Sequence, residues 1–461
     1  MSAVKEYLET LQGKRIAVIG MGVSNTPLIR MLLRADLNVT VRDKAHRERV
    51  EDIAEELESL GARLALGEDY LEDLTEDIIF RTPGLKPGTP QLQAAMEQGS
   101  EITSEMELFF RTCPCQIIAV TGSDGKTTTT TLISEFLKAA GYNVFVGGNI
   151  GKPLLPDVDG MEPEDFAVLE LSSFQLMTMD QSPDIAVFTN LSPNHLDYHG
   201  TMEEYTAAKM NIYIHQDEDC RAIFNYDNQT TRELAAGAKG QRVWFSRQNR
   251  PEEGVYLRDG AIWLTNEQGS REVLPLREIL LPGVHNIENY MAAIAAVDGL
   301  VPDKVVREVA GNFKGVEHRI ELVREMDGVR YYNDSIGTSP TRTMACLDSF
   351  DQKIILIAGG YDKGVPFTSL GVAITEKVKT LVLTGATSQA IRAAVEGAES
   401  YAPGTPDIVE LDDFAEAVKA ARAAAKPGDV VILSPACAAF DKFKNFMERG
   451  KYFKELVNQF V

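Results

Sequence analysis

The chain has only five cysteines and two tryptophans in 461 residues, and no apolar run approaches the roughly 18 residues of a membrane span. Its cysteines, Cys113, Cys115, Cys220, Cys346 and Cys437, are odd in number and mostly isolated, which excludes a disulfide scaffold or a zinc framework. Only Cys113 and Cys115 stand close together, on either side of Pro114. The opening MSAVKEYLET has no apolar stretch and no small-residue cleavage site, so no secretory signal is expected. Positive charge is also short: 46 basic residues face 68 acidic ones, a formal net charge of −22. Such a chain repels polyanions at long range and has no compensating basic patch, so a nucleic-acid partner is not expected. An anionic small substrate must therefore be held by a few local cations or by metal. These absences describe a reduced, cytoplasmic, membrane-free protein.

What is present is the composition of an ordinary globular chain, with length for two or three domains. Short β-branched runs alternate with helical patterns, which argues for α/β units around mainly parallel sheets. Three blocks separate, at 1–104, 105–315 and 316–461. The first has strands at Arg15–Ile19, Asn38–Arg42 and Asp77–Phe80, a helix to about Arg34, and a helical stretch to about Phe110. In the second, strands at Gln116–Val120, Asn143–Val146, Phe166–Leu171 and Ile185–Thr189 precede an antiparallel portion. There Asp259-Gly260, between two apolar runs, signals a hairpin. A helix near Asn286–Val297 closes this block. The third carries strands at Gly328–Asn333, Lys353–Ala358, Thr380–Leu383, Asp407–Leu411 and Asp429–Leu433.

The most informative motif is Gly122-Ser123-Asp124-Gly125-Lys126-Thr127-Thr128, between an apolar strand and a Thr-rich helix start. Unpaired N–H groups of a glycine turn at a helix N-terminus bind phosphate. Lys126 adds a point charge and Thr127 a hydroxyl for Mg²⁺. Two residues, rather than four, separate the glycines, so the loop departs from the general P-loop spacing. A second turn, Gly20-Met21-Gly22-Val23-Ser24-Asn25, has the dinucleotide pattern with Asn25 in place of its third glycine, and Asp43 ends the next strand. An NAD site and a structural turn both remain open readings of it.

Glu170 ends a buried strand, where an open α/β sheet places its ligands, and can hold a cation or cap the following helix. His195 follows another strand and reads by itself as a polar surface residue. On composition Lys209 is a solvent-facing lysine. Asn286 and Asn289, three apart, can bracket a planar base from one helix face. In the third block polar loops around Arg319, Asp334, Lys363 and Ser434–Asp441 lie near strand ends.

In this order, and over essentially the whole length, these motifs resemble the Mur ligase family of ATP-dependent amide-bond ligases of peptidoglycan precursor synthesis. The run Ser434–Gly450 (SPACAAFDKFKNFMERG) is most similar to that of the D-glutamate-adding members. The resemblance implies three domains: a Rossmann-like UDP-sugar domain, a central P-loop ATPase-like α/β domain with added antiparallel strands, and a Rossmann-like C-terminal domain for the amino acid. It implies as substrates UDP-N-acetylmuramoyl-L-alanine, D-glutamate and ATP, with two Mg²⁺ ions and a monomeric state.

By position, Gly122 to Thr128 would cradle the ATP phosphates, with Lys126 catalytic. Thr127, Glu170, His195 and Lys209, the last as a CO2-derived carbamate, would serve the metals. Asn286, Asn289, Arg319 and Asp334 would contact adenine, phosphate and ribose. Val23, Ser24, Asp43, Lys44, Thr82, Gly84 and Asn149 would face the UDP moiety, with Gln175 and His195 toward the sugar. Thr338, Lys363, Ala439, Phe440 and Phe446 would surround D-glutamate. Ile336 and Ala439 depart from the family, where some relatives have a lysine and a serine. Two alternatives stay open: a folylpolyglutamate synthetase-like ligase, and an NAD-dependent oxidoreductase or nucleotide sensor built on the first block.

Overall fold

The computed structural model describes residues 2–281, 283–362 and 364–460. Two compact units emerge, Met1–Pro275 with Glu288–Val309, and Leu276–Ile287 with Ala310–Val461.

The first unit opens with five parallel strands: β1 (Arg15–Ile19), β2 (Asn38–Asp43), β3 (Arg63–Leu66), β4 (Ile78–Phe80) and β5 (Glu101–Thr103). Their order is β3-β2-β1-β4-β5, so the direction of winding reverses between β1 and β4. Helix Asn25–Arg34 buries Leu28, Ile29, Leu32 and Leu33, a helical-period face, beside the sheet. The expected helical stretch to Phe110 is corrected. Helix Pro90–Glu97 ends before Gly99, at φ 99°, and β5 intervenes. Ser104 then caps a new helix, Glu105–Thr112, by accepting from Glu107 N–H.

A nine-stranded sheet follows in the same unit. Its strands are β6 (Gln116–Thr121), β7 (Val144–Gly148), β8 (Phe166–Glu170), β9 (Ile185–Phe188), β10 (Arg221–Asn225), β11 (Gln241–Ser246), β12 (Gly254–Arg258), β13 (Ala261–Asn266) and β14 (Gly269–Pro275). The order is β14-β13-β12-β11-β10-β9-β6-β8-β7. Strands β6 to β12 run parallel, and β13 alone turns back, pairing antiparallel with both β12 and β14. Asp259 and Gly260 both take positive φ, 49° and 73°, as the two-residue hairpin turn requires. Strand β6 sits between β9 and β8, so the loop after it opens at a reversal of strand order.

The second unit holds β15 (Glu321–Met326), β16 (Val329–Asn333), β17 (Ile354–Ala358), β18 (Val378–Leu383), β19 (Asp407–Glu410) and β20 (Val430–Leu433). Its order is β15-β16-β20-β17-β18-β19, parallel except for β15, an edge strand the sequence reading omitted. The all-apolar β17 and β20 are fully buried at its centre, as expected of strands covered on both faces.

Candidate active site

The phosphate-type loop joins β6 to helix Lys126–Ala139. Gly125 caps that helix at φ 80°, where no side-chain cap hydrogen bond forms. A Cβ at Gly125 would collide with Asn289 Oδ1, so glycine is required by both conformation and space. The loop is stitched to the segment after β9. Ser123 N–H donates to Asn190 O (2.9 Å), Asp124 N–H to Asn190 Oδ1 (2.9 Å) and Ser123 Oγ to Ser192 O (2.9 Å). Lys126 Nζ curls over the loop, donating to Gly122 O and Ser123 O at 2.9 Å each. Thr128 is buried in the first turn.

Glu170 sits at the end of β8, 2% exposed. Thr127 Oγ1 donates to its Oε2 at 2.7 Å, and Asn149 Nδ2 donates to its Oε1 at 2.8 Å. Glu170 does not cap the next helix. Ser172 does, in a reciprocal box in which Gln175 Oε1 accepts from Ser172 N–H. Asn149 and Gln175, expected at the UDP-sugar, thus lie beside Glu170 and in the adjacent cap.

Lys209 overturns its compositional reading: it is 1% exposed. Its Nζ donates to Gly122 O (2.8 Å) and Thr121 Oγ1 (3.2 Å) and lies 5.0 Å from the centre of the Tyr205 ring. Burial pushes its pKa well below the usual lysine value, and the positive charge of Lys126 adds to the effect. His195 is exposed at φ 54°, with its ring edge-on to Phe174 at 5.1 Å.

Around these residues lie groups the sequence reading missed. His199, 1% exposed, bonds through Nε2 to Ser173 Oγ (2.9 Å) and stacks on Phe174. Arg81, also 1% exposed, donates to the carbonyls of Thr82, Pro83, Leu85 and Phe174 and to Thr178 Oγ1. A buried arginine spending its donors on carbonyls fixes a loop. A histidine among aromatic rings fixes the segment that carries His195. Neither leaves a periodic signal in sequence.

At the mouth of the first sheet, Gly20, Asp43 and Thr82 come together at the ends of β1, β2 and β4. Gly20 takes φ 93°, and a Cβ there would press on Thr82 Cβ at 3.2 Å. Asp43 accepts from Met21 N–H (2.7 Å) and Ala45 N–H (2.8 Å), tying the two loops together. Asn25 is buried and donates to Ile19 O (2.8 Å), closing the strand end where the dinucleotide pattern has glycine. Val23 is 78% exposed, Ser24 precedes the helix, Gly84 is exposed, and Lys44 pairs with Glu68 on the surface at 3.6 Å.

In the helix Val284–Val297 both Asn286 and Asn289 are buried, and Asn289 Oδ1 accepts from Thr129 Oγ1 at 3.3 Å. In the second unit Asp334 follows β16, 4% exposed. It accepts from Ser434 Oγ (2.7 Å) and Ile320 N–H (3.3 Å). Burial pushes its carboxyl up to about 6, against the opposing charge of Arg319. Arg449, 2% exposed, donates to Ser335 Oγ (3.0 Å) and to the carbonyls of Ser335, Cys437 and Ala438 (2.9–3.1 Å). It clamps two strand-end loops and was not singled out from sequence. Ala439 is buried, Phe440 is 64% exposed and Phe446 starts helix Phe446–Asn458. Thr338 is half-buried after β16, and Lys363 lies outside the described residues.

Three family models match in series: a Mur ligase MurD-like N-terminal domain at residues 14–104, a Mur ligase middle domain at 120–297 and a Mur ligase glutamate ligase domain at 318–437. The chain belongs to the Mur ligase family, a family of ATP-dependent ligases. It is 50% identical over 458 residues to the UDP-N-acetylmuramoylalanine–D-glutamate ligase of Acetivibrio thermocellus, covering 99% of this chain and 98% of that one. Its identity to the same-named protein of Ruminiclostridium cellulolyticum is 49%, with the same coverage.

Among solved structures it resembles a UDP-N-acetylmuramate-alanine ligase from Thermotoga maritima, with TM-score 0.59, 18% identity, and 96% and 99% of the two chains covered. A UDP-N-acetylmuramoyl-L-alanyl-D-glutamate–2,6-diaminopimelate ligase aligns with TM-score 0.55, 20% identity, and 96% and 92% coverage. These two share the fold. Among the described residues no helix is long and apolar enough to cross a membrane.

Proposed function

We propose that this protein joins the amine of D-glutamate to the carboxyl of UDP-N-acetylmuramoyl-L-alanine at the expense of ATP, releasing ADP and phosphate, in peptidoglycan precursor synthesis. The observation that carries the phosphoryl chemistry is the Thr127–Glu170 pair at the mouth of the phosphate loop. The amino acid follows from the curated names of relatives at about half identity over the full length, and from the run Ser434–Gly450. In this reading the domains are 1–104, 105–315 and 316–461, and the chain acts as a cytoplasmic monomer.

A carboxylate resists attack by an amine until its oxygen becomes a leaving group. Phosphorylation by ATP supplies one, and the amine of D-glutamate then displaces phosphate through a tetrahedral intermediate. In this reading Lys126 would neutralise the transferring phosphate, and Asp334, whose carboxyl feels the charge of Arg319, would accept from a ribose hydroxyl. Asn289, which packs against Gly125, would contact the adenine together with Asn286.

The hard oxygens of Thr127 and Glu170 suit Mg²⁺, and His195 and a carbamylated Lys209 would serve a second ion. When bound, Mg²⁺ supplies charge neutralisation between phosphate oxygens. The neutral form that burial favours at Lys209 is the nucleophilic one, as addition to CO2 requires. Val23, Ser24, Asp43, Lys44, Thr82, Gly84 and Asn149 would receive the UDP end, with Gln175 and His195 toward the sugar. Thr338, Lys363, Ala439, Phe440 and Phe446 would receive D-glutamate.

The test is isotope transfer. With ¹⁸O in the carboxylate of UDP-N-acetylmuramoyl-L-alanine, one label should appear in the released phosphate. Unlabelled phosphate would exclude the acyl-phosphate route.

A further inference from the structure

Cys113 and Cys115 place their sulfurs 3.4 Å apart, across Pro114. The segment is the covalent connection between helix Glu105–Thr112 and β6, the strand whose far end becomes the phosphate loop. Cys113 follows the helix with an extended backbone, φ −67° and ψ 122°, and is half-buried, whereas Cys115 is 6% exposed. Cys113 is therefore the more exposed of the two residues, with the sulfur of Cys115 next to its own. Hydrogen bonding from Cys115 favours the thiolate of Cys113, while the same contact together with burial holds the proton on Cys115. The other cysteines do not share this arrangement: Cys220 donates to Asp217 Oδ1, and Cys346 and Cys437 are buried in the second unit.

The geometry points to Cys113 and Cys115 as a reversible dithiol–disulfide site for low-molecular-weight disulfides of the glutathione class. The thiolate of Cys113 attacks one sulfur of the oxidised compound, forming a mixed disulfide and expelling one thiolate. Cys115 gives its proton to that thiolate and attacks the Cys113 sulfur, forming the Cys113–Cys115 bond and releasing the second small thiolate. Two electrons leave the two protein thiols, the small disulfide is reduced to two thiols, and the atoms balance. Closure needs the sulfurs to approach from 3.4 Å to about 2.05 Å, a shift within reach of side-chain rotation. A bridge across three residues constrains little chain and is readily reduced, which marks labile disulfides rather than structural ones.

The test incubates the full-length protein in defined ratios of oxidised to reduced glutathione, alkylates the remaining thiols and maps the peptides by mass. The expected product is a peptide lighter by two hydrogens, with both cysteines unalkylated and full recovery after dithiothreitol. In Cys115→Ser, Cys113 should stop at a stable glutathione adduct, and in Cys113→Ser, Cys115 should stay alkylatable. A persistent glutathione adduct on Cys113 of the unaltered protein would overturn the proposal. So would a disulfide between two chains, or two thiols still reduced after the most oxidising buffer.

Discussion

Thr127 Oγ1 donates a 2.7 Å hydrogen bond to Glu170 Oε2, linking the first turn after the phosphate loop to the end of β8. The two residues lie 43 positions apart in sequence. They meet because β6 and β8 pair in parallel, with Val120 opposite Glu170, so both strand ends open on the same edge.

Removing that hydroxyl is the first test. Thr127→Val should lower kcat by about 10–100-fold and raise the Mg²⁺ concentration needed for half-maximal rate, while Thr127→Ser keeps most activity. Steady-state kinetics across a Mg²⁺ series reads both effects. An unchanged Mg²⁺ requirement in Thr127→Val would separate this pair from the metal.

Lys209 should show opposite effects on stability and activity. Its amine is buried and its charged form disfavoured, so Lys209→Met should raise the unfolding free energy by on the order of 1 kcal/mol while activity is lost. For the native protein, activity should fall in CO2-depleted buffer and return on adding bicarbonate. Calorimetry and phosphate-release assays give the two readouts.

Glu105 provides a pH dependence with a definite sign. It is 6% exposed, its Oε1 has no hydrogen-bond partner, and burial pushes it from 4.5 up to about 7. The folded state therefore holds this proton more tightly than the unfolded chain. Its cost to stability is absent below pH 4.5, accumulates to about pH 7 and is constant above. Glu105→Gln should be more stable than the native protein at pH 8, by on the order of 3 kcal/mol, with most of the difference gone at pH 5. Denaturant titrations at the two pH values measure it.

The loop at the centre of the candidate site was legible before the fold was known, because a phosphate-type turn combines glycines, a lysine and a hydroxyl in fixed sequence. Gly122 to Thr128 therefore announced themselves, as did the Asp259-Gly260 hairpin, where positive φ at both residues restricts the choice. Short edge strands such as β3 and β5 did not, since three or four partly exposed residues carry no alternation to read. Lys209, Arg81 and Arg449 were illegible for another reason. A buried basic side chain is defined by the carbonyls around it, and those come from distant segments. Lys209 reached the site only through the family resemblance.

Arg449 tests the clamp in the second unit. Its guanidinium bonds to Ser335 and to the carbonyls of Cys437 and Ala438 at once, a fork that lysine cannot reproduce. Arg449→Lys should raise KM for D-glutamate by about tenfold and leave KM for UDP-N-acetylmuramoyl-L-alanine nearly unchanged. Equal changes in both would assign it to folding rather than to a D-glutamate site.

His199 tests how His195 is held. Replacing it with alanine removes the bond to Ser173 and the stack on Phe174, the ring that also meets His195. His199→Ala should cut kcat by about tenfold and raise the Mg²⁺ requirement, whereas His199→Gln, which retains a hydrogen-bonding group, should recover part of the loss. Equal losses in both variants without a change in Mg²⁺ response would contradict the positioning role.

The most direct measurement is phosphate release from ATP with Mg²⁺ and UDP-N-acetylmuramoyl-L-alanine, comparing D-glutamate with L-glutamate, D-aspartate, L-lysine and no amino acid. Release with D-glutamate alone, with a product heavier by one glutamyl residue, is the predicted result. Release driven by another of these amino acids, or none with any of them, would contradict it.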